Sequence, residues 1–198
     1  PASIYEDVKV IAYPSPKVKI SSLNASNSEI TSTPSIIGLE KLVDADKERG
    51  ISFPDKNGFT VDFKSIEEFT ARSLTICPTQ FSIYTPVELQ VLENGNYVTK
   101  STFTISRTNP RVTVGYEPWA PVVISLDAVR GKEFRVIFKN TQPETGIAEI
   151  ELSSLPQVER YKEKIFAKMF EGLTPGWGDY MWRNQPEVND KNLVVNPS

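Results

Sequence analysis

Across most of the first 155 residues, apolar side chains recur at every second position, and that period confines the chain to sheet. Val8, Val10 and Ala12 share one face with Lys9 opposite. Phe59-Thr60-Val61-Asp62-Phe63 and Val87-Glu88-Leu89-Gln90-Val91 alternate cleanly. Phe134, Val136 and Phe138 alternate with Arg135 and Ile137, and Ala148, Ile150 and Leu152 with Glu149 and Glu151. A strand places successive side chains on opposite faces, so this pattern describes half-buried antiparallel strands. Arg72–Cys77, Phe103–Ile105, Val112–Tyr116 and Val122–Leu126 are further candidates, giving at least eight short strands.

Turn chemistry separates them. Asn94-Gly95 lies between two alternating runs, where a type I′ hairpin needs positive φ at both central residues. Asp55-Lys56-Asn57-Gly58, Asn109-Pro110, Arg130-Gly131 and the stretch Asn140–Gly146 punctuate the rest. Fifteen prolines fit many loops and protected edges. The expected fold is all-β, a sandwich or jelly roll over residues 1–155. Its core would be built from Val8, Val10, Phe59, Val61, Phe63, Leu74, Ile76, Leu89, Val91, Phe134, Val136, Phe138, Ile150 and Leu152.

The period changes at Pro156. Val158, Tyr161, Ile165 and Met169 recur at helical spacing, widened by Phe166 and Phe170. Pro156 suits a first helical turn and Gly172 a C-terminal stop. The spacing predicts one C-terminal helix within 156–171, running from about Gln157 to Phe170. An irregular docked tail, 172–198, would follow and lead back to the missing part of a larger protein. Both chain ends read as cut rather than natural, so a piece of a larger protein is expected.

Composition narrows the function. The chain has no histidine and one cysteine, Cys77. That excludes Ser-His-Asp and Cys-His nucleophiles, histidine metal ligands, a Cys-type zinc site and an intrachain disulfide. A net charge of −3, from 22 basic and 25 acidic residues, lacks the basic excess of a nucleic-acid binder. No apolar run approaches a membrane span. A mechanism resting on two carboxylates survives these exclusions. Asp62, Glu88, Glu149 and Glu151, however, alternate with core residues and are expected to face solvent, while Glu67-Glu68 reads as a loop.

Four groups of residues offer ligand chemistry. Asp44-Ala45-Asp46 places two carboxylates two apart, a pattern that can hold Ca²⁺ or simply make a polar turn. Trp119 stands between Pro118 and Pro121 near Tyr116; its indole can stack on a sugar or plug the end of the sandwich. Arg49 and Asp46 would supply polar partners to such a sugar. Trp177, Tyr180 and Trp182 form the densest aromatic cluster and read as an interdomain contact. Cys77, on a strand with no histidine to activate it, reads as a buried inert thiol.

The series of motifs resembles a galactose-binding-like jelly roll of the discoidin type. It runs from the acidic Asp44-Ala45-Asp46 through Phe59–Phe63, Ala71–Ile76, Val87–Gly95 and Phe134–Phe138 to the closing Ala148-Glu149-Ile150-Glu151-Leu152. Such domains commonly use loop His and Arg, and this chain has no His. A narrower likeness covers almost the whole chain. Tyr5–Pro14, Thr70–Ile76, Glu149–Leu152, Val158–Phe170 and Val194–Ser198 resemble an accessory domain of bacterial α-L-rhamnosidases of glycoside hydrolase family 106. In those enzymes the catalytic carboxylates lie on a (β/α)₈ barrel. No barrel segment is present, so the resemblance carries over no catalytic residue. It implies a non-catalytic, carbohydrate-binding accessory domain in a periplasmic, cell-surface or secreted enzyme. The partners would be the rest of the parent hydrolase and an oligosaccharide, with neither nucleic acid nor membrane. No cofactor is required, and Ca²⁺ at Asp44 and Asp46 is compatible. The alternatives are a structural insert with no ligand of its own and, last, a self-contained carboxylate glycosidase. Exposure of Trp119 separates the first two.

Overall fold

The structure is a computed structural model that describes residues 19, 21–79, 83–107, 120–161 and 185–194. The chain forms two units, Ile20–Pro186 and a smaller one of Pro1–Lys19 with Glu187–Ser198. In the smaller unit, Asp190 closes a short turn by accepting the Leu193 amide at 2.9 Å. The larger unit carries all seven described strands: β1 (Ser28–Thr33), β2 (Ile51–Ser52), β3 (Phe59–Pro78), β4 (Ile83–Glu93), β5 (Asn96–Arg107), β6 (Val122–Phe138) and β7 (Gly146–Ser153). A short 3-10 helix, Leu39–Val43, precedes β2.

All pairings are antiparallel, in the order β2-β7-β3-β6-β4-β5, with β1 beside the first half of β3 on the flank opposite β6. β3 and β6 are long because each serves two halves of the sheet. Thr60–Ser65 of β3 pairs with β1, and Phe59–Lys64 pairs with Glu133–Phe138 of β6. Ser73–Pro78 of β3 pairs with β7, and Ser73–Ile76 pairs with Val122–Ser125 of β6. Between these halves the register slips twice, at Lys64/Phe69 and Ala71/Ser73, and Ala128 on β6 has φ +35°. Bulges sharpen twist and bend a strand. The bend brings Phe59, Val61 and Phe63 of one half and Leu74, Ile76, Ile150 and Leu152 of the other into one core. Each fully buried Phe or Leu of that core contributes roughly 1.5–3 kcal/mol.

The alternation thus identified the core correctly: twelve of the fourteen expected core residues are buried, and Val8 and Val10 lie outside the described residues. It divided the strands wrongly. The expected Phe59–Phe63 and Arg72–Cys77 strands are one strand, as are Val122–Leu126 and Phe134–Phe138. Glu67-Glu68 and Arg130-Gly131, read as loops, are the bends themselves. The Asn94-Gly95 turn is as expected, with φ +49° and +81°.

The outer face of the second half is covered by chain that follows β7. Ser73 donates its hydroxyl to Leu155 O at 2.7 Å, and Ser154 N donates to Ser21 O at 2.9 Å. Ser125 N donates to Glu159 Oε2 at 2.6 Å, and Arg160 N to Val123 O at 2.8 Å. Gln185 accepts from Glu159 N at 2.7 Å and donates to Gln157 O at 3.1 Å. Such partners permit the burial of polar Ser73, Thr75, Ser125 and Glu159. The same cover corrects the helix expectation: residues 156–160 are extended and turn, with Arg160 at φ +46°, and helical conformation first occurs at Tyr161. The remainder of the expected helix lies outside the described residues.

Candidate functional site

Both ends of the bent β3 emerge at one end of the sandwich. Phe53 establishes this. Its ring packs on Phe59 at 6.1 Å and on Phe138 at 5.4 Å, at the start of β3 and the end of β6. Its amide donates to Thr145 O at 2.9 Å, beside the start of β7, and Thr79 N donates to Gly146 O at 3.1 Å just past the end of β3. The described connections 44–58 and 139–145 therefore converge there, and so do Thr79, at the end of β3, and Arg107 and Ala120, which are hydrogen-bonded to each other between β5 and β6. At the opposite end are the Asn94-Gly95 turn and the bends of β3 and β6. Loops gathered on a rigid sandwich are where such folds place ligand contacts.

The acidic loop sits on this end. Asp44 Oδ1 accepts the Asp46 amide at 2.8 Å. Asp46 Oδ1 accepts the amides of Glu48 at 2.9 Å and Arg49 at 3.1 Å. Those amides hold the Asp46 carboxyl below the usual carboxylate range. Each carboxylate thus folds its own loop, as short Asx side chains do. Beneath the loop lies Glu149 of β7. Its Oε2 accepts the amide of Ala45, whose φ is +69°. Glu149 is 6% exposed, which corrects its expected solvent-facing position: the outward side of β7 is roofed here by the loop. Burial, with like charges on Asp44 and Glu151 adding to it, pushes this carboxyl up to about 7 against the pull of the Ala45 amide and Lys47. Cys77, paired with Glu149 across the strands, is buried as expected, and burial raises its thiol to about 11.

A second feature anchors the same end. Arg107, the last residue of β5, is 2% exposed. Its guanidinium donates to Ala120 O at 3.0 and 2.9 Å, to Pro121 O at 3.3 Å and to Ser106 O at 2.9 Å. It ties together the two chain segments that flank residues 108–119. Nothing in the sequence pattern singled out Arg107; an arginine closing an alternating strand looks like a solvated charge.

Beside these lies an open cleft of about 500 Å³, where the outer face of the first half meets the 55–58 turn and residues 139–140. Thr33, Pro34, Thr60, Ile137 and the edges of Phe59 and Phe138 form one side; Asp55, Asn57, Lys139 and Asn140 form the rim. The turn is held rigidly. Thr141, 2% exposed, donates its hydroxyl to Asp55 O at 2.6 Å and accepts the Gly58 amide at 3.1 Å. Asp55 Oδ1 accepts the Asn57 amide at 2.6 Å. Gly58 has φ +107°, and a Cβ there would lie 2.9 Å from Phe138 O, so only glycine fits.

Of the expected site residues, Asp44, Asp46 and Arg49 are brought into one loop at this end. Tyr116, Trp119, Trp177, Tyr180 and Trp182 lie outside the described residues. Among the described residues no three His, Cys, Asp or Glu side chains gather closely enough to hold a metal ion.

The fold has close counterparts in solved structures. The family 32 carbohydrate-binding module (CBM) of C. perfringens NanJ, solved in complex with galactose, superposes at a TM-score of 0.52 and 14% identity over 69% of this chain and 100% of the module. This chain has the galactose-binding-like jelly-roll fold. A second jelly roll, CpGH89CBM32-5 of Clostridium perfringens in complex with GalNAc-β-1,3-galactose, superposes at 0.51 and 13% identity, over 66% of this chain and 98% of that one. No protein-family model and no curated protein matches the sequence, and the narrower likeness to family 106 α-L-rhamnosidases has no counterpart among these structures.

Proposed function

We propose that this chain is a non-catalytic carbohydrate-binding module, the accessory domain of an exported, carbohydrate-degrading enzyme, and that it binds sugar with its loop end. The supporting observation is the jelly roll shared with two modules solved with galactose-containing ligands. The carboxylate chemistry points the same way. Asp62 and Glu88 lie on an open sheet face and pair with Arg135 and Lys139. Glu149 is roofed by a loop. Tyr116, Trp119, Arg49 and Asp46 belong to this proposal as loop-end contacts. The aromatic Trp177, Tyr180 and Trp182 belong to it as contacts with the parent enzyme. Calcium at Asp44 and Asp46, with loop carbonyls and water completing the shell, is part of the same proposal; a Tm raised by Ca²⁺ and lowered by EDTA tests it.

The direct test is calorimetric titration of the 198-residue chain with galactose, rhamnose and pectin-derived oligosaccharides. Saturable heat supports the reading. Its absence at millimolar sugar leaves the structural insert. Steady release of product from an aryl glycoside would instead reveal a hydrolase.

A further inference from the structure

We infer that the cleft between the 55–58 turn and residues 139–140 is a binding site for one neutral sugar residue, and that it discriminates against uronic acids. This rests on the carbohydrate-binding reading and locates it on residues that the sequence marked only as turns and strands. A volume of about 500 Å³ is that of an ordinary small-ligand site. The lining has the two kinds of surface a pyranose needs. Pro34 and Ile137 offer apolar surface for the C–H face of a ring. Thr33, Thr60, Asn57 and Asn140 can each donate and accept toward hydroxyls.

The rim is also preorganised. The Asp55–Gly58 turn is bolted to buried Thr141, and Lys139 N donates to Pro86 O at 2.8 Å on β4. A ligand entering here orders little backbone, which removes one cost of binding.

Charge sets the class. The Lys139 ammonium is ion-paired to Glu88 at 2.5 Å, so its charge is already balanced. Asp55 has no salt-bridge partner among the described residues. It spends Oδ1 on the Asn57 amide, leaving Oδ2 to accept a hydroxyl. Of the two charged residues that line the cleft, Asp55 is thus the one whose charge is not balanced by an ion pair among the described residues, and Lys56 of the same turn is not part of the lining. A neutral sugar loses nothing to Asp55, whereas a uronate or phosphate meets an uncompensated carboxylate.

Titrations with galactose, rhamnose and galacturonate, paired with ¹H–¹⁵N amide-shift mapping, test this. A neutral sugar should move the amides of Gly58, Thr60, Lys139 and Asn140, and galacturonate should bind at least tenfold more weakly. Thr60→Trp, which fills the cleft from a strand position that tolerates an aromatic, should abolish binding while leaving Tm within a few degrees. Asp55→Asn keeps the Asn57 hydrogen bond and should bring galacturonate to within about threefold of galactose. If sugar binding survives Thr60→Trp and is lost in Trp119→Ala, the cleft inference falls while the carbohydrate-binding reading stands. Galacturonate binding as tightly as galactose overturns the neutral class. No binding of any sugar overturns both readings.

Discussion

Glu149 shows how far a single residue can depart from its pattern. The alternation of β7 places it outward, and on an uncovered sheet outward means solvated. The loop that buries it lies more than a hundred residues earlier in the chain, so no local period could reveal the roof. The consequence is a pH dependence with a defined sign. The groups facing the carboxyl are Asp44, Glu151 and Lys47. Its folded value near 7 lies above its ordinary 4.5, so the folded state holds this proton more tightly than the unfolded state. The stability from that proton is full below about pH 4.5 and lost as pH rises through about 7. Glu149→Gln, which keeps an acceptor for the Ala45 amide, should stabilise the protein at pH 8 by roughly 1–3 kcal/mol and change little at pH 4.5. Urea denaturation at both pH values, in EDTA, reads this directly. Equal stability of parent and variant at pH 8 would show that the carboxylate is solvated. Cys77 was legible at the same scale, because a lone cysteine on a strand with no histidine had no means of activation. It should resist a thiol reagent until the chain unfolds.

At the scale of elements, the hairpin was readable and the bends were not. Asn94-Gly95 announces its turn type because few residue pairs accept two positive φ angles. Gly95 has open space around the position of a Cβ, so Gly95→Ala isolates the backbone term. It should cost about 1–2 kcal/mol, measured as a lower urea midpoint with unchanged m-value. A neutral result would mean that the turn relaxes to another type. The bends of β3 and β6 carry charged residues and break the alternation, which is the signature of a loop as much as of a bulge. Only the pairing of Phe69 with Gly131 and Thr70 with Arg130 across the interruption shows that the strand continues. Neighbouring-strand register is long-range information. The same holds for the Pro156 segment: its apolar spacing is helical, but Glu159 and Arg160 are recruited to the outer face of β6. That tertiary contact overrides a weak local preference at the helix start.

For the whole molecule, the two long strands fold one continuous sheet over one core and return all their ends to a single end. The sequence displayed the core because burial imposes a period; it did not display the loop end, whose residues obey no period and whose partners are distant. Arg107 is the clearest case, since it links the last residue of β5 to the first residues before β6. Among the described residues its guanidinium donates four hydrogen bonds to three carbonyls, of which Ala120 O is buried and Ser106 O and Pro121 O are part-buried. Arg107→Leu keeps the apolar stem and removes every donor. Leaving the buried Ala120 carbonyl unpaired costs about 1–3 kcal/mol and the part-buried ones less, so a loss of about 3 kcal/mol is expected. For a domain of this size, that corresponds to a Tm lowered by about 6–12 °C. The effect should extend to function. If residues 108–119 carry sugar contacts through Tyr116 and Trp119, Arg107→Leu weakens binding well below its unfolding temperature. If the 55–58 cleft alone holds the sugar, Arg107→Leu lowers Tm and leaves affinity unchanged. A Tm within about 2 °C of the parent would show that these carbonyls find other partners, and that the loop end is not fastened through Arg107.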